Sequence, residues 1–158
     1  MSVLPPRIEG SPAALFATSP LDVFRATPMQ RIELLKNGLS AQDAVRILSQ
    51  LKLPERAAFK AINLSPVRLA RWARLDEHLA LPEAERVLGM AKLIGQVQQM
   101  VEESGSPDGF DASTWIADWL VDPLPALAGA RPIEFLDTME GQALVAQLLS
   151  QIQSAAYA

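Results

Sequence analysis

Hydrophobic positions recur with helical spacing along most of the chain after Pro28, and capping or turn residues divide them into segments. In one segment, Ala44, Ile47, Leu48 and Leu51 stand at i, i+3, i+4 and i+7, which places them on one face of a helix. Such patterns and their caps predict helices over residues 29–37, 40–51, 54–62, 65–75 and 82–104, and two more beginning after residues 111 and 138.

Composition favours the same fold class and narrows the chemistry. Ala and Leu, both strong helix formers, supply 47 of the 158 residues, whereas Val, Ile and Thr supply 21, so the chain is predicted to be all-α. The chain has no cysteine and a single histidine, which leaves no disulfide, thiolate metal site, cysteine nucleophile or histidine pair. Asp118 and Asp122 stand one helical turn apart and could be taken for a catalytic acid/base pair. Two solvated surface carboxylates are the better interpretation, because no supporting histidine or metal ligand stands with them. We therefore expect no enzyme activity, metal or cofactor.

The first 28 residues differ from the rest of the chain, because five prolines leave little room for a helix or a central strand. We predict a flexible arm over residues 1–28. It lacks a basic segment followed by an unbroken apolar run, so it is not expected to be a secretory signal. No stretch of the chain has the length and apolar character of a membrane span, and we expect a soluble cytoplasmic protein.

Residues 54–75 have the layout of a helix-turn-helix, with a short helix, a tight turn and a second helix that opens on Ser65 as cap and Pro66 in its first turn. Asn63 stands where glycine is common in this turn, and asparagine tolerates the left-handed conformation. Phe59 stands where a small residue is common, and its ring is expected to splay the two helices. We assign residues 29–80 to a DNA-binding module.

Basic residues concentrate on this segment, with six between Lys52 and Arg74 against Glu55 alone. Three arginines recur every third residue along the second helix, while Leu69 and Trp72 take its inner side. Such a face suits contacts with phosphates and base edges, although an ordinary solvated basic face is the alternative. The residues predicted to face DNA are Lys60, Ser65, Arg68, Arg71 and Arg74.

The helix predicted over residues 82–104 has apolar positions on more than one face, and Gly89 and Gly95 would allow another helix to approach closely. It is either a dimer seam or part of the domain core.

The two halves of the chain differ in charge. Residues 1–78 carry eleven Lys/Arg against seven Asp/Glu, a net charge of +4, and residues 79–158 carry three against eleven, a net charge of −8. A polyanion for the front half and a cationic partner for the back half would fit this division, as would two solvated surfaces.

The segment from Trp119 to Gly141 reads WLVDPLPALAGARPIEFLDTMEG. It resembles the C-terminal toxin-binding signature of the Xre/ParS/MbcA-like antitoxins. The matching positions, at the family's spacing and without a gap, are Trp119, Leu120, Pro123, Pro125, Ala126, Leu127, Gly129, Pro132, Leu136, Asp137, Thr138 and Gly141. Independently, the prolines fix φ and stop helix continuation, so the segment is predicted to form a rigid exposed loop that loses little entropy on binding.

The resemblance implies a type II antitoxin in which an N-terminal Xre-like helix-turn-helix module precedes a small helical domain for toxin binding and dimerisation, over residues 81–158. It further implies a cognate RES-domain toxin that consumes NAD and is inhibited by occlusion of its active site, and a homodimer that binds operator DNA. The contact residues that it implies are Leu127, Gly129, Arg131, Pro132, Ile152 and Tyr157. Arg131, the sole cation after Lys92, would pair with a group at the NAD site or with a local carboxylate such as Glu134. The alternative function is a stand-alone transcription regulator whose back half dimerises or binds an effector.

Overall fold

The computed structural model describes residues 19–105 and 107–156, and within them it contains α-helices, two short 3-10 helices and no β-strand. The prediction of an all-α fold is confirmed. The α-helices are α1 (Pro20–Arg25), α2 (Pro28–Asn37), α3 (Ala41–Ser49), α4 (Glu55–Ala61), α5 (Pro66–Arg74), α6 (Leu81–Glu103), α7 (Ala112–Leu120) and α8 (Met139–Ala156). The 3-10 helices, η1 (Pro125–Leu127) and η2 (Pro132–Phe135), lie between α7 and α8.

Local capping explains where several helices begin. The side chains of Ser40 and Ser65 accept hydrogen bonds from the backbone N–H groups three residues ahead, at 3.1 and 3.2 Å. Asp111 caps α7 in the same way, and the Thr138 hydroxyl accepts from the N–H of Gly141 at 2.9 Å at the start of α8. Each cap satisfies backbone donors that the first turn of a helix leaves without a partner, so these helix starts agree with the sequence prediction.

Helix α6 lies at the centre of the molecule and packs against α1, α2, α3, α7 and α8. Val87, Met90 and Ile94 on this helix are almost completely buried, and buried residues of both halves of the chain join them in one core cluster. The core interpretation of the long helix is therefore confirmed. The division at residue 80 into two domains stays a prediction.

The expectation that no helix forms before residue 29 is wrong for residues 20–25. Ser19 caps α1, and Pro20 occupies its first turn, where the missing N–H of proline costs nothing. A Cβ on Gly95 would stand 2.1 Å from the Pro20 carbonyl oxygen, so only glycine lets α1 lie this close to α6. The Arg25 guanidinium also contacts the Glu102 carboxylate at 2.7 Å. Tertiary packing against α6 therefore stabilises a helix that is too short to persist alone. Residues 1–18 of the predicted arm lie outside the described residues.

None of the helices described is both long enough and apolar enough to cross a lipid bilayer.

Candidate functional site

Helices α4 and α5 are joined by a tight turn in which Asn63 adopts a left-handed conformation, with φ of 50°. The N–H of Leu64 bonds the carbonyl of Phe59 at 3.0 Å, which closes the turn before the cap at Ser65. Asparagine pays a smaller steric penalty than most residues in this region of φ/ψ space, in agreement with the prediction at Asn63.

Phe59 is half-buried, and its ring packs against the core cluster. A cleft of about 510 Å³ borders the ring, with Arg56 and Lys60 on α4 and Leu64 and Pro66 in the turn and the start of α5. The ring therefore lies beside a gap between α4 and the start of α5.

The basic residues predicted to face DNA share an exposed surface but differ in their contacts. Lys60, Arg71 and Arg74 are exposed and form no ion pair within the part of the chain that the structure describes. The guanidinium of Arg68 instead lies 4.6 Å from the ring centroid of Trp72 and 3.6 Å from Oε1 of Glu83. Three cations are thus free to contact a ligand, while the fourth is held by the protein itself.

The sequence reasoning missed two residues of α6 that support this surface. Arg86 donates from Nε to the carbonyl oxygen of Ile62 at 2.6 Å and from Nη2 to that of Asn63 at 3.2 Å, so it fixes the turn between α4 and α5. Glu83 holds Arg68, and its Oε2 atom is buried without a hydrogen-bond partner. No local pattern indicates either contact, because the residues lie 15 to 24 positions apart in the sequence.

The segment between α7 and α8 forms a largely exposed loop between two helices, as its prolines predict. The N–H groups of Leu124 and Gly129 bond to the carbonyls of Ala130 and Leu124, at 3.0 and 2.9 Å, and close the loop across η1. Ala128 and Gly129 both have positive φ, at 55° and 87°. Two consecutive left-handed residues reverse the chain tightly, so the tip of the loop projects with its own hydrogen bonds satisfied.

The residues implied to contact a toxin lie in different environments within this loop. Gly129 and Arg131 are exposed, Leu127 is half-buried, and Pro132 is buried, so Pro132 shapes the loop rather than offering a contact surface. The carboxylate of Glu134 accepts from the backbone N–H of Arg131 at 2.8 Å. The Arg131 guanidinium forms no ion pair with the described residues and remains available to a partner.

The remaining two contact residues lie apart from the loop. Ile152 is 39% exposed on α8, thirteen residues beyond its start, which corresponds to about 20 Å along the helix axis. Tyr157 lies outside the described residues. A partner that contacts both the loop and Ile152 must therefore cover an extended surface.

Buried and stacked residues in and beside the signature fix this loop to the core. Leu136, Val145 and Leu149 are fully buried, and the rings of Trp115 and Trp119 stack with centroids 6.0 Å apart. Helix α8 begins against η2, where a Cβ on Gly141 would lie 1.8 Å from the carbonyl oxygen of Phe135. The signature glycine is thus required by a close backbone approach.

The lowered pKa of Asp111 arises from its role as the cap of α7 and does not indicate a catalytic group. Hydrogen bonds from the Thr114 hydroxyl and from the backbone N–H groups of Thr114 and Ser113 lower the pKa of Asp111. Asp118 and Asp122 are both exposed. Among the described residues, no cluster of three or more acidic or histidine side chains has the geometry to hold a metal ion.

Comparison with known proteins agrees with this geometry. Residues 108–154, which include α7, both 3-10 helices and most of α8, match the family described as the antitoxin Xre/MbcA/ParS C-terminal toxin-binding domain. The chain is also 48% identical over 136 residues, or 86% of its length and 86% of the relative's, to a protein of Sphingobium sp. (strain YBL2) named "Prs ADP-ribosylating antitoxin". Because this identity extends over most of both chains and the C-terminal domain matches the family, the chain belongs to the Xre/MbcA/ParS-like antitoxins.

Proposed function

We propose that this antitoxin neutralises a RES-domain toxin that consumes NAD, by covering the toxin's active site with the loop between α7 and α8. The observation that carries the proposal is that this loop is closed by its own hydrogen bonds and exposes the Arg131 side chain. A loop ordered before binding loses little conformational entropy in the complex.

Charge and the relative's name support the same partner. Residues 79–158 carry a net charge of −8, and a pocket that receives the pyrophosphate of NAD should be electropositive, so the two surfaces attract. The name of the Sphingobium relative refers to ADP-ribosylation, a reaction for which NAD is the usual donor. In this proposal the antitoxin acts by occlusion and is not itself an enzyme.

The toxin assignment is tested by co-expression with the product of the adjacent gene, which the proposal expects to be a RES-domain protein. We expect Arg131→Ala to weaken the complex at least about tenfold, because arginine is enriched among the residues that dominate interface energies. Lys36→Ala, which removes an exposed cation on α2, is the matched control. If Arg131→Ala inhibits NAD consumption as tightly as the wild type does, the loop is not the inhibitory element.

We propose further that the α4–turn–α5 segment is a helix-turn-helix that binds operator DNA, with Lys60, Ser65, Arg68, Arg71 and Arg74 at the interface. In support, the turn is closed, the helix is capped, and three of the four cations form no ion pair with any residue that the structure describes. Cations of this kind replace the counterions of DNA phosphates.

The DNA assignment is tested by titration of operator DNA at several salt concentrations. Arg71→Ala should weaken binding and lower the slope of log K against log salt by about 0.9, the contribution of one phosphate contact. Arg46→Ala on α3 is the control, since Arg46 lies 3.7 Å from Asp43 on its own helix. Equal affinities of Arg71→Ala and wild type would contradict the assignment, and toxin neutralisation should not change.

Two coarser properties complete the proposal: the antitoxin is a homodimer, and it acts in the cytoplasm. Helix-turn-helix proteins commonly read two half-sites as dimers. Exposed apolar side chains such as Met29 and Val67, at 72% and 79%, support contacts with another chain. Sedimentation velocity at micromolar concentration measures the oligomeric state, and a single monomer species would contradict the dimer.

A further inference from the structure

A groove of about 410 Å³ lies between α2, α6 and α8, and none of the proposed DNA-contact or toxin-contact residues lines it. Its walls are largely apolar, and its volume is within the range of small-ligand sites. The main apolar residues of the walls are Ile32, Leu35, Leu88, Leu93, Met139 and Ala143.

Two cations also line the groove, and neither forms an ion pair with the described residues. Lys92 is half-buried, with no hydrogen bond or ion pair to the described residues. The Arg31 guanidinium donates to the backbone carbonyls of Val23, Phe24 and Ala26, which are neutral acceptors. Backbone carbonyls at the end of α1 therefore solvate Arg31, but no carboxylate of the described residues pairs with either cation.

This arrangement of like charges is unfavourable without a counter-charge. Burial, and then the charge of Arg31, lower the pKa of Lys92, and burial lowers the pKa of Arg31. The one acidic side chain among the groove residues, Glu85, lies seven positions before Lys92 on α6, or about 10 Å along the helix. An anion placed beside Lys92 and Arg31 would relieve their repulsion and replace water that burial has partly removed.

We propose that this groove binds a small organic carboxylate, with its carboxylate between Lys92 and Arg31 and its hydrocarbon chain along the apolar walls. The size and concavity of the groove favour a small molecule over a protein segment, because helices wall it on three sides. The site would make the antitoxin responsive to a metabolite class that neither toxin binding nor DNA binding requires.

Octanoate is the probe, and its binding to the full chain is measured by isothermal titration calorimetry with butyrate and octan-1-ol for comparison. We expect saturable binding of octanoate, weaker binding of butyrate by up to about fourfold for each methylene removed, and little binding of the uncharged alcohol. No saturable binding of octanoate, or equal binding of octanol, would overturn the proposal.

Lys92→Met keeps the volume and apolar stem of the side chain and removes its charge. We expect it to weaken octanoate binding at least about tenfold, the effect of losing about 1.4 kcal/mol of ionic attraction. Lys36→Met, at an exposed position on α2, should bind like the wild type. Thermal unfolding of Lys92→Met without ligand checks that this variant folds. If Lys92→Met does not fold, the smaller substitution Lys92→Gln is used in its place. Unchanged octanoate affinity of Lys92→Met would overturn the assignment. If the oligomeric state of this variant changes while its octanoate affinity does not, the groove is instead occupied by a second copy of the chain.

Discussion

Replacing Gly141 by alanine tests the physical reason for a signature residue. At an exposed helical position this change stabilises a protein by about 1 kcal/mol, because glycine loses more backbone entropy on folding. Here the added Cβ would lie 1.8 Å from the Phe135 carbonyl oxygen, 2.8 Å from its carbon and 2.9 Å from the Thr138 hydroxyl. Two of these atoms belong to the backbone, so η2 or the first turn of α8 must move.

Overpacking of this kind costs about 1–3 kcal/mol, and contact with backbone favours the upper part of that range. After subtraction of the gain in helix propensity, we expect a net loss of about 1–2 kcal/mol and a decrease in Tm of about 2–8 °C. Because η2 belongs to the loop that we propose binds the toxin, inhibition of the toxin should also weaken.

Urea denaturation of wild type and Gly141→Ala measures the loss. The pair Gln147→Ala and Gln147→Gly, at an exposed position on the same helix, measures the propensity difference without a steric contact. If Gly141→Ala matches or exceeds the stability of the wild type, then close packing does not explain the glycine.

Three further changes test contacts that α6 and α7 make. Arg86→Ala should destabilise the protein by about 1.5–3 kcal/mol, because two backbone carbonyls of the turn lose a charged donor, and urea denaturation measures this loss. Arg86→Ala should also weaken DNA binding more than Arg86→Lys does, which operator titration measures. Glu83→Gln should free Arg68 and strengthen DNA binding at low salt. Glu85→Gln, an equal change of charge on the same helix, should have a smaller effect. Equal effects of the two variants in the operator titration would argue against the ion pair. Asp111 has a lowered pKa in the folded state, so its carboxylate stabilises the protein above the unfolded pKa of about 3.9, and that stability is lost as the pH falls through the lower folded value. Asn also caps helices but does not titrate, so the difference in Tm between wild type and Asp111→Asn should shrink below about pH 4.

Capping shows how much of the fold the sequence alone predicts. Ser40, Ser65, Asp111 and Thr138 each bond within three residues of themselves, so the sequence around them is sufficient to place the helix starts. The spacing of prolines and glycines in the toxin-binding signature is also local. Both the all-α class and the antitoxin family could be predicted for this reason.

Helix α1 shows the limit of that reasoning. Prolines before residue 29 argued against a helix, but close packing on Gly95 and the contact from Arg25 to Glu102 stabilise one there. Propensity is a weak prior for a six-residue helix, and tertiary contacts outweigh it.

Tertiary structure likewise decided which charged side chains lie close to one another. The sequence predicted that Arg68, Arg71 and Arg74 share a face, but only the fold brings the Glu83 carboxylate on α6 to 3.6 Å from the Arg68 guanidinium. In the same way, Lys92 and Arg31 lie 61 positions apart and meet only because α2 packs on α6. Helix caps and hydrophobic periodicity act over a few residues and can be read along the chain, whereas the environment of a charge depends on all the elements packed around it.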